Sequence, residues 1–596
     1  METPVLIVGG GPVGLTLALV FAKFKINCCV IERNFSTTEH PKMDITNGRS
    51  MEIFRMLNIA DKINASAVSP DICHDVSWIH TLTDPEIYRF AYPSPNEARE
   101  AYKKINDGTQ PMDPAVRISQ IVVEPLLRDA AESSPYVNLK YGNKFDCFEQ
   151  DENRVKAWIQ NSKTQKKDVI ISDYLIGCDG GNSRVRQSLN IGLSGAANIR
   201  KRYSVHFISH DKHIFEPFGP AWHYQSPVYG TLVSQDGKER YTLHSFLLEG
   251  EDPETVNPYD KVRNFVGRDF HFELLHAIQW NNNLLVADRY RDRRVFLAGD
   301  STHQYIPTGG YGMNTGIGDA FDLGWKLSGV INGWGGDRLL DSIEEERRPI
   351  ALRNCEASKR HAETRIAIGE FWPENISLKG VEGDIQRTQI ADKIVEMGNA
   401  ENESLGIEIG YGYSGSSIVC NEPSDEIQDD PLIYYPTTTP GYRSPALYLA
   451  DETPIFKLFG SGFTLLNFGL SPNECAIVAG EMYSELSPIL DQYDAFISPT
   501  NNLPAVKADI DLEKDPVIIN GKEQIGRDMC WTMCYPFNML GRLPVLSVPS
   551  GFASNGVPTG IQIVTRSYAD EIVFQAGFNY EKLDPWLKNP ENRPKI

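Results

Sequence analysis

The sequence predicts an α/β (α+β) protein: a Rossmann-like dinucleotide-binding domain, an antiparallel β-sheet layer inserted into it, and a smaller C-terminal domain. Three observations predict it. The chain opens with a short apolar β-type run, a glycine-rich turn, a helical pattern and a second strand, which is a βαβ unit. Two later apolar runs end, like the first, at glycine, here with an acid beside it, at Asp179-Gly180 and Gly299-Asp300. Between these two, residues 191–290 are rich in Tyr, Phe, Trp and His with turn signals such as Asp236-Gly237, the text of antiparallel strands rather than helices.

In chain order, Val5–Val8 is the first strand, Leu15–Phe24 the helix and Asn27–Ile31 the second strand. Asp168–Cys178 and Arg294–Ala298 are further strands, and residues 320–370 read as helix with a charged solvent face in "EEERRPIALRN". The expected organisation is a dinucleotide-binding domain over 1–190 that carries some segments of the inserted layer. The layer itself occupies 191–290, and the rest of the first domain with its helices 291–420. Residues 421–445, dense in Pro, Thr and Asp, read as a linker to a C-terminal domain at 446–596.

Composition excludes several function classes. With 596 residues, 41% hydrophobic and 23% charged, the chain can bury large cores and is neither disordered nor fibrous. A net charge of −21 has the wrong sign for tracking a phosphate backbone or an anionic membrane, so no nucleic-acid partner is expected. Ten scattered cysteines form no disulfide framework, which predicts reduced thiols and a cytoplasmic protein. Only residues 4–24 could pass for a membrane anchor, and the glycines there break the apolar run, so no membrane span is expected. Cys530 and Cys534 lack the companions of a zinc site, and His206, His210 and His213 would lie on mixed faces of β-type text, so no metal is predicted.

The chemistry concentrates in three motifs. Gly9, Gly11 and Gly14 have G-x-G-x-x-G spacing between strand and helix, where backbone N–H groups can hold a pyrophosphate, and Glu32, with Arg33 beside it, ends the next strand where a ribose would sit. The second motif is "CDGGNSRVR", containing Asp179 and Gly180, and the third is "RVFLAGDSTHQYIPTGGYGMN", containing Asp300, Pro307, Gly310, Met313 and Asn314. In this order the three resemble the FAD-dependent aromatic hydroxylases of the phenol hydroxylase and para-hydroxybenzoate hydroxylase kind, over residues 4 to about 420.

That resemblance implies FAD as cofactor, NADPH or NADH as reductant, O2 as co-substrate and an aromatic or polyketide-like small molecule as substrate. It implies that Asp300 meets the ribityl and pyrophosphate region, and that the 307–314 loop presents N–H groups to the flavin edge where charge accumulates on reduction. It further implies that Asp179-Gly180 contacts both FAD and NAD(P)H, and that Arg49 and Gln120 contact FAD. The implied cycle is hydroxylation of a phenolic or electron-rich carbon by a C4a-hydroperoxyflavin. Epoxidation, Baeyer–Villiger insertion and oxidative rearrangement in secondary metabolism share these motifs and stay open. A homodimer is expected by analogy alone.

Asp44, five residues before Arg49, is the candidate for substrate proton chemistry, with a pKa expected to be raised near flavin. Tyr224 and Arg240 are the candidates from the inserted layer, with His206, His223, Tyr241 and His244 as further pocket residues. The C-terminal text changes character. "GYRSPALYLADETPIFKLFGSGFTLLNFG" resembles the start of the thioredoxin-like domain of phenol hydroxylases, without a C-x-x-C, and residues 490–580 resemble the end of amidase-signature hydrolases. A hydrolase of that kind needs a Ser-Ser-Lys triad, and the one Gly/Ser-rich stretch, Ser414-Gly415-Ser416-Ser417, lies outside that segment, so the tail is expected to be non-catalytic, with amidase activity as the minor alternative.

Overall fold

A mixed sheet with a parallel centre, called the parallel sheet, carries the first unit of the computed structural model. Its strands run in the spatial order Arg291–Asp292, Val295–Leu297, Lys167–Gly177, Glu2–Val8, Cys28–Glu32, Val137–Tyr141, and the hairpin Asn143–Gln150/Val155–Asn161 joins Lys167–Gly177 from the side. Described are residues 1–247, 251–252, 254–420, 427, 429–460, 462–464, 466, 483–484, 486–500, 517–519, 522–524, 543–554, 557–566, 569–583 and 585. The central strand reads Val5-Leu6-Ile7-Val8, every side chain buried, as expected where helices cover one face and the hairpin layer the other. Pro12 opens the first helix, Pro12–Lys23, where its missing N–H costs nothing.

The glycine turn before that helix has a steric cause. Gly9 has φ +113°, and a Cβ there would lie 2.2 Å from the Cys178 carbonyl oxygen. At Gly14 a Cβ would lie 2.0 Å from the Gly9 oxygen. Either addition would push the helix off the strand, so Gly14→Val should abolish soluble, folded expression, read by circular dichroism and thermal melting.

The inserted layer is a seven-stranded sheet ordered Glu273–Asn281, Lys201–Ile208, Arg240–Phe246, Gly230–Ser234, His223–Ser226, Val76–Trp78, Tyr88–Phe90. Its last two strands come from the first part of the chain, and Val76–Trp78 joins in parallel to His223–Ser226. One face buries Tyr203, Val205, Phe207, Tyr224, Tyr241 and Leu243 against Phe215 and Phe265. The even-numbered residues of Lys201–Ile208 and Arg240–Phe246 face the other way, toward the parallel-sheet domain.

Two helices, Tyr311–Ile331 and Asp337–Glu370, back the parallel sheet. Between them lies a buried ion network: Asp319 accepts from Arg347 Nε at 2.8 Å and pairs with His303 Nε2 at 2.7 Å, while Lys326 reaches Asp322 at 2.9 Å and also Glu346. The stretch expected as a linker is, in its described part, packed structure. Arg443 forms a buried pair with Glu52, and Tyr434 is 3% exposed. The pairing partner lies 391 residues away, which local composition does not show. The first compact unit accordingly ends at Phe463, and the second spans 464–596.

In the second unit, Phe496–Pro499, Pro558–Val564 and Val545–Phe552 form an antiparallel sheet in that order, with the helix Asp570–Leu583. Leu490, Leu543 and Val564 make its small core. Cys530 and Cys534 lie outside the described residues. No described helix is long and apolar enough to cross a membrane.

Candidate active site

Three adjoining cavities follow the carboxyl ends of the parallel strands, where an open α/β sheet places its ligands. The first, about 220 Å³, is lined by Gly9, Gly11, Glu32, Arg33, Gln120, Asp179 and Gly180. The second, about 500 Å³, is lined by Gly11, Pro12, Gln120, Gly180, Asp300, Pro307, Gly310 and Met313 on one side and by Ser204, His244 and Trp280 of the inserted sheet on the other. The third, about 270 Å³, is lined by Asp44, Asn47, His74, Trp222, His223, Gly310 and Asn314. Gly11, Lys42, Gln120, Cys178 and Gly180 border the first two, and Asp44, Ile45, Pro307 and Gly310 border the second and third, so they form one cleft.

The glycine-loop end is built to accept a ligand. A Cβ added at Gly11, Gly180 or Gly312 would meet no protein atom within 4 Å, so the space beside these backbones is open. Glu32 spends one oxygen on Gly10 N and the other on Asn34 N, each at 2.9 Å, which fixes the carboxylate at the strand end with lone pairs to spare. Asp300 has no hydrogen-bond partner among the described residues, and its place in the cleft, where protein displaces water, raises its pKa although solvent still reaches it. Asp179 is committed differently. It caps the short helix Arg184–Ser188 through Ser183 Oγ, Arg184 N at 2.7 Å and Val185 N at 3.2 Å, and burial raises its pKa.

At the 307–314 loop, Gly310 N donates to Pro307 O at 3.0 Å, and the helix Tyr311–Ile331 starts beside the cavity with its first N–H groups free of intrahelical partners. Asn314 locks this loop to the 44–50 strap. Its Oδ1 accepts from Asn47 N at 3.1 Å and Ser50 Oγ at 2.7 Å, and its Nδ2 donates to Gly310 O at 2.7 Å. Gln120 donates to Glu124 at 2.9 Å on the cleft wall.

Asp44 stands where the second and third cavities meet. Trp222 Nε1 donates to its Oδ2 at 2.6 Å, and His223 Nε2 lies 3.7 Å from the same oxygen. Burial pushes the Asp44 pKa up, but His223, Trp222 and the charge of Arg117 together outweigh it and hold the carboxyl below its usual range. The expected upward shift is therefore reversed, because Trp222 and His223 meet the carboxylate and the charge of Arg117 acts on it, all from residues more than seventy positions away in sequence. His74, in the same cavity, is driven to about 3 by burial and by Arg117, so it is a neutral ring.

Three of the expected site residues lie elsewhere. Tyr224 points into the hydrophobic core, 1% exposed, with its hydroxyl on Gly219 O at 3.1 Å. Strand alternation decides this: its neighbour His223 faces the cleft, so Tyr224 cannot. Arg240 is on the correct face of its strand but four residues from His244, roughly 13 Å at the rise of a strand, and lines a separate surface hollow with His206 and His276. Arg49 turns away from the cleft to Glu52 at 3.1 Å, beside Tyr411. His206 is buried with Nδ1 on Tyr241 O at 3.0 Å, whereas His210 is exposed and pairs with Glu239. Among the described residues, no group of three His, Cys, Asp or Glu side chains could hold a metal ion. Trp222, His74, Lys42 and Ser204 were not singled out in sequence. Trp222 lies just before the strand His223–Ser226, where alternation does not set its direction.

Comparison with known proteins agrees with this geometry. The model of the FAD binding domain family matches residues 2–358, and an Amidase model matches residues 472–574. The FAD-dependent monooxygenase apdD of Emericella nidulans is 36% identical over 490 residues, 78% of this chain and 78% of that protein. Among solved structures, RebC with bound 7-carboxy-K252c superposes with a TM-score of 0.72 at 31% identity, covering 81% of this chain and 89% of that one. The flavin-dependent monooxygenase PieE in complex with FAD and substrate superposes with a TM-score of 0.72 at 28% identity, covering 82% and 88%. With a glycine loop, an unpartnered strand-end acid and a shared cleft of this form, the chain belongs to the FAD-dependent monooxygenases.

Proposed function

We propose that this monooxygenase hydroxylates a phenolic or related electron-rich, polyketide-like ring, with NADPH or NADH as reductant. The observation that carries it is Asp44, an ionised carboxylate held by Trp222 and His223 where the inserted sheet meets the 307–314 loop. FAD, when bound, supplies the redox chemistry, taking a hydride from the nicotinamide and activating O2. Gly11, Glu32, Arg33, Gln120 and Gly180 would hold its nucleotide half. Asp300 would accept hydrogen bonds from the ribityl hydroxyls, and the N-terminal N–H groups of Tyr311–Ile331 would face the flavin edge, stabilising negative charge there.

Asp44 accepts a hydrogen bond from the substrate hydroxyl. Full proton transfer in the resting complex is ruled out by magnitude. A phenol holds its proton far more tightly than a carboxyl does, and the Asp44 carboxyl is held below even the usual carboxylate range. The proton moves only as oxygen adds and the ring becomes cationic, which is general-base catalysis in the transition state. Trp222 and His223 keep the carboxylate oriented and charged until that moment.

Anaerobic titration with NADPH and then NADH, with and without phenols, tests the reading. Flavin bands that bleach faster with one phenol, followed by a hydroxylated product on re-oxygenation, support it. Bleaching indifferent to every phenol, or a ring-opened or epoxide product, overturns hydroxylation. Asp300→Ala should lose bound FAD on gel filtration while remaining folded, with a dissociation constant weakened about tenfold or more, the scale of a hydrogen bond to a charged group. Full flavin occupancy would remove Asp300 from the cofactor site.

The C-terminal unit is read as an appended layer without hydrolytic chemistry. Ser416, in the one Gly/Ser-rich stretch, belongs to the first unit, is 4% exposed and donates to Glu346 Oε1 at 2.6 Å, so it is no nucleophile. A fluorophosphonate probe should leave 414–417 unlabelled by peptide mapping.

A further inference from the structure

The inserted sheet places a chain of three polar side chains on its cleft face. Ser204 and His244 sit directly opposite each other on neighbouring strands, and Trp280 lies diagonally across on the next strand. Trp280 Nε1 donates to Ser204 Oγ at 2.7 Å, and Ser204 Oγ lies 2.9 Å from His244 Nδ1. Ser204 is 1% exposed, while Ser204, His244 and Trp280 all border the 500 Å³ cavity.

The direction of each bond follows from donor inventory. An indole N–H donates and never accepts, so Ser204 Oγ is the acceptor from Trp280. The serine then has one O–H to place, and His244 Nδ1 is its only other hydrogen-bond partner among the described residues. An Nδ1–H would leave that buried hydroxyl proton without an acceptor, a penalty of about 1–3 kcal/mol. Nδ1 is therefore the acceptor, and the neutral ring carries its proton on Nε2. Burial lowers the His244 pKa to about 4, the Asp44 charge opposes this, and Arg202, His223 and His40 reinforce it. Every charged or titratable neighbour considered, the ring stays neutral at physiological pH.

We propose that His244 is a specificity-determining residue, whose Nε2–H donates to an acceptor oxygen of the substrate, a carbonyl or an enolate, while Asp44 accepts from a hydroxyl of the same molecule. This rests on the reading that the cleft holds the substrate. It narrows the class from any phenol to rings bearing both a hydroxyl and a carbonyl-type oxygen. Ser204 and Trp280 are positioning residues that act through the tautomer.

Two measurements on the FAD-loaded full chain test it. In ¹⁵N-histidine-labelled enzyme, with His244 assigned by its loss in His244→Gln, the resonance pair should show a protonated Nε2 and a bare Nδ1 between pH 6 and 8. Ser204→Ala should shift the pair toward a tautomer mixture. A protonated Nδ1 or a doubly protonated ring overturns the assignment. For recognition, the probes are 2′,4′-dihydroxyacetophenone and 4-ethylresorcinol, which differ only in the carbonyl oxygen, read by flavin spectral perturbation. The ketone should bind about fivefold tighter, the scale of one hydrogen bond. That ratio should fall to one in His244→Leu and survive in His244→Gln, whose amide can still donate. Equal binding to wild type, binding of neither, or a ratio preserved in His244→Leu overturns the proposal. Failure of the broader reading shows separately, as an enzyme that holds no FAD or is not reduced by nicotinamide.

Discussion

Asp44→Asn is expected to keep FAD bound and to slow hydroxylation by about 10²–10⁴-fold, the range of a positioned general base. Asparagine preserves size and can still face Trp222, but it takes up no proton when the ring becomes cationic. Reduction by NAD(P)H does not need that proton, so flavin bleaching should continue and consumption of O2 should uncouple from product. The pH dependence has a definite sign. Because the Asp44 pKa is depressed in the folded protein, its working anionic form persists as pH falls into the usual carboxylate range, and activity is lost only at lower pH than an ordinary carboxyl would give. An acid limb near 6 would mean that another group takes the proton. An unchanged rate in Asp44→Asn, measured on a tightly coupled substrate, would remove Asp44 from the mechanism.

Arg347→Met should cost about 3–5 kcal/mol of stability, the penalty for deleting one member of a buried ion pair and leaving its partner charged. Arg347 is 1% exposed, and it clamps Asp319 on the helix whose N-terminus faces the cleft, with a second bond to Thr315 O at 3.2 Å. A Cβ on Gly318 would come within 2.7 Å of its guanidinium, so the helix packs closely around the charge. Thermal melting and urea unfolding check this, and a loss under about 1 kcal/mol would show that the network is dispensable. The same network gives a pH signature. Burial raises the Asp319 pKa, but His303 and Arg347 pull it down to about 2. A depressed carboxyl stabilises the fold above its unfolded pKa, so about 2–3 kcal/mol should be present at neutral pH and lost as pH falls from about 4 toward 2.

How much of this was legible in sequence depends on whether the signal was local. The βαβ opening, the glycine loop and the two Gly–acid strand ends are local. The steric demand at Gly14 and the buried run at Val5–Val8 follow from a few neighbouring residues, and with the glycine spacing they specify both the fold and the cofactor, whereas the crowding at Gly9 comes from distant Cys178. The resemblance of the three motifs in order was equally visible, and it carried the monooxygenase assignment.

Long-range pairing was not legible. Trp222 reaches Asp44 across 178 positions, and that contact, with His223 and Arg117, reverses the direction of its pKa shift. Arg443 finds Glu52 and turns an expected linker into packed structure. Within the inserted sheet the composition was read correctly as strand, but which alternate residues face the cleft depends on register, and a shift of one residue exchanges the two faces. So Tyr224 and Arg240, sound candidates by residue type, gave way to His223 and His244. The sequence by itself determined the fold class, the cofactor loop and the kind of chemistry, because each rests on residues adjacent in the chain. Only the tertiary structure decided which side chains line the cleft, because strand register and distant hydrogen bonds set their direction and charge.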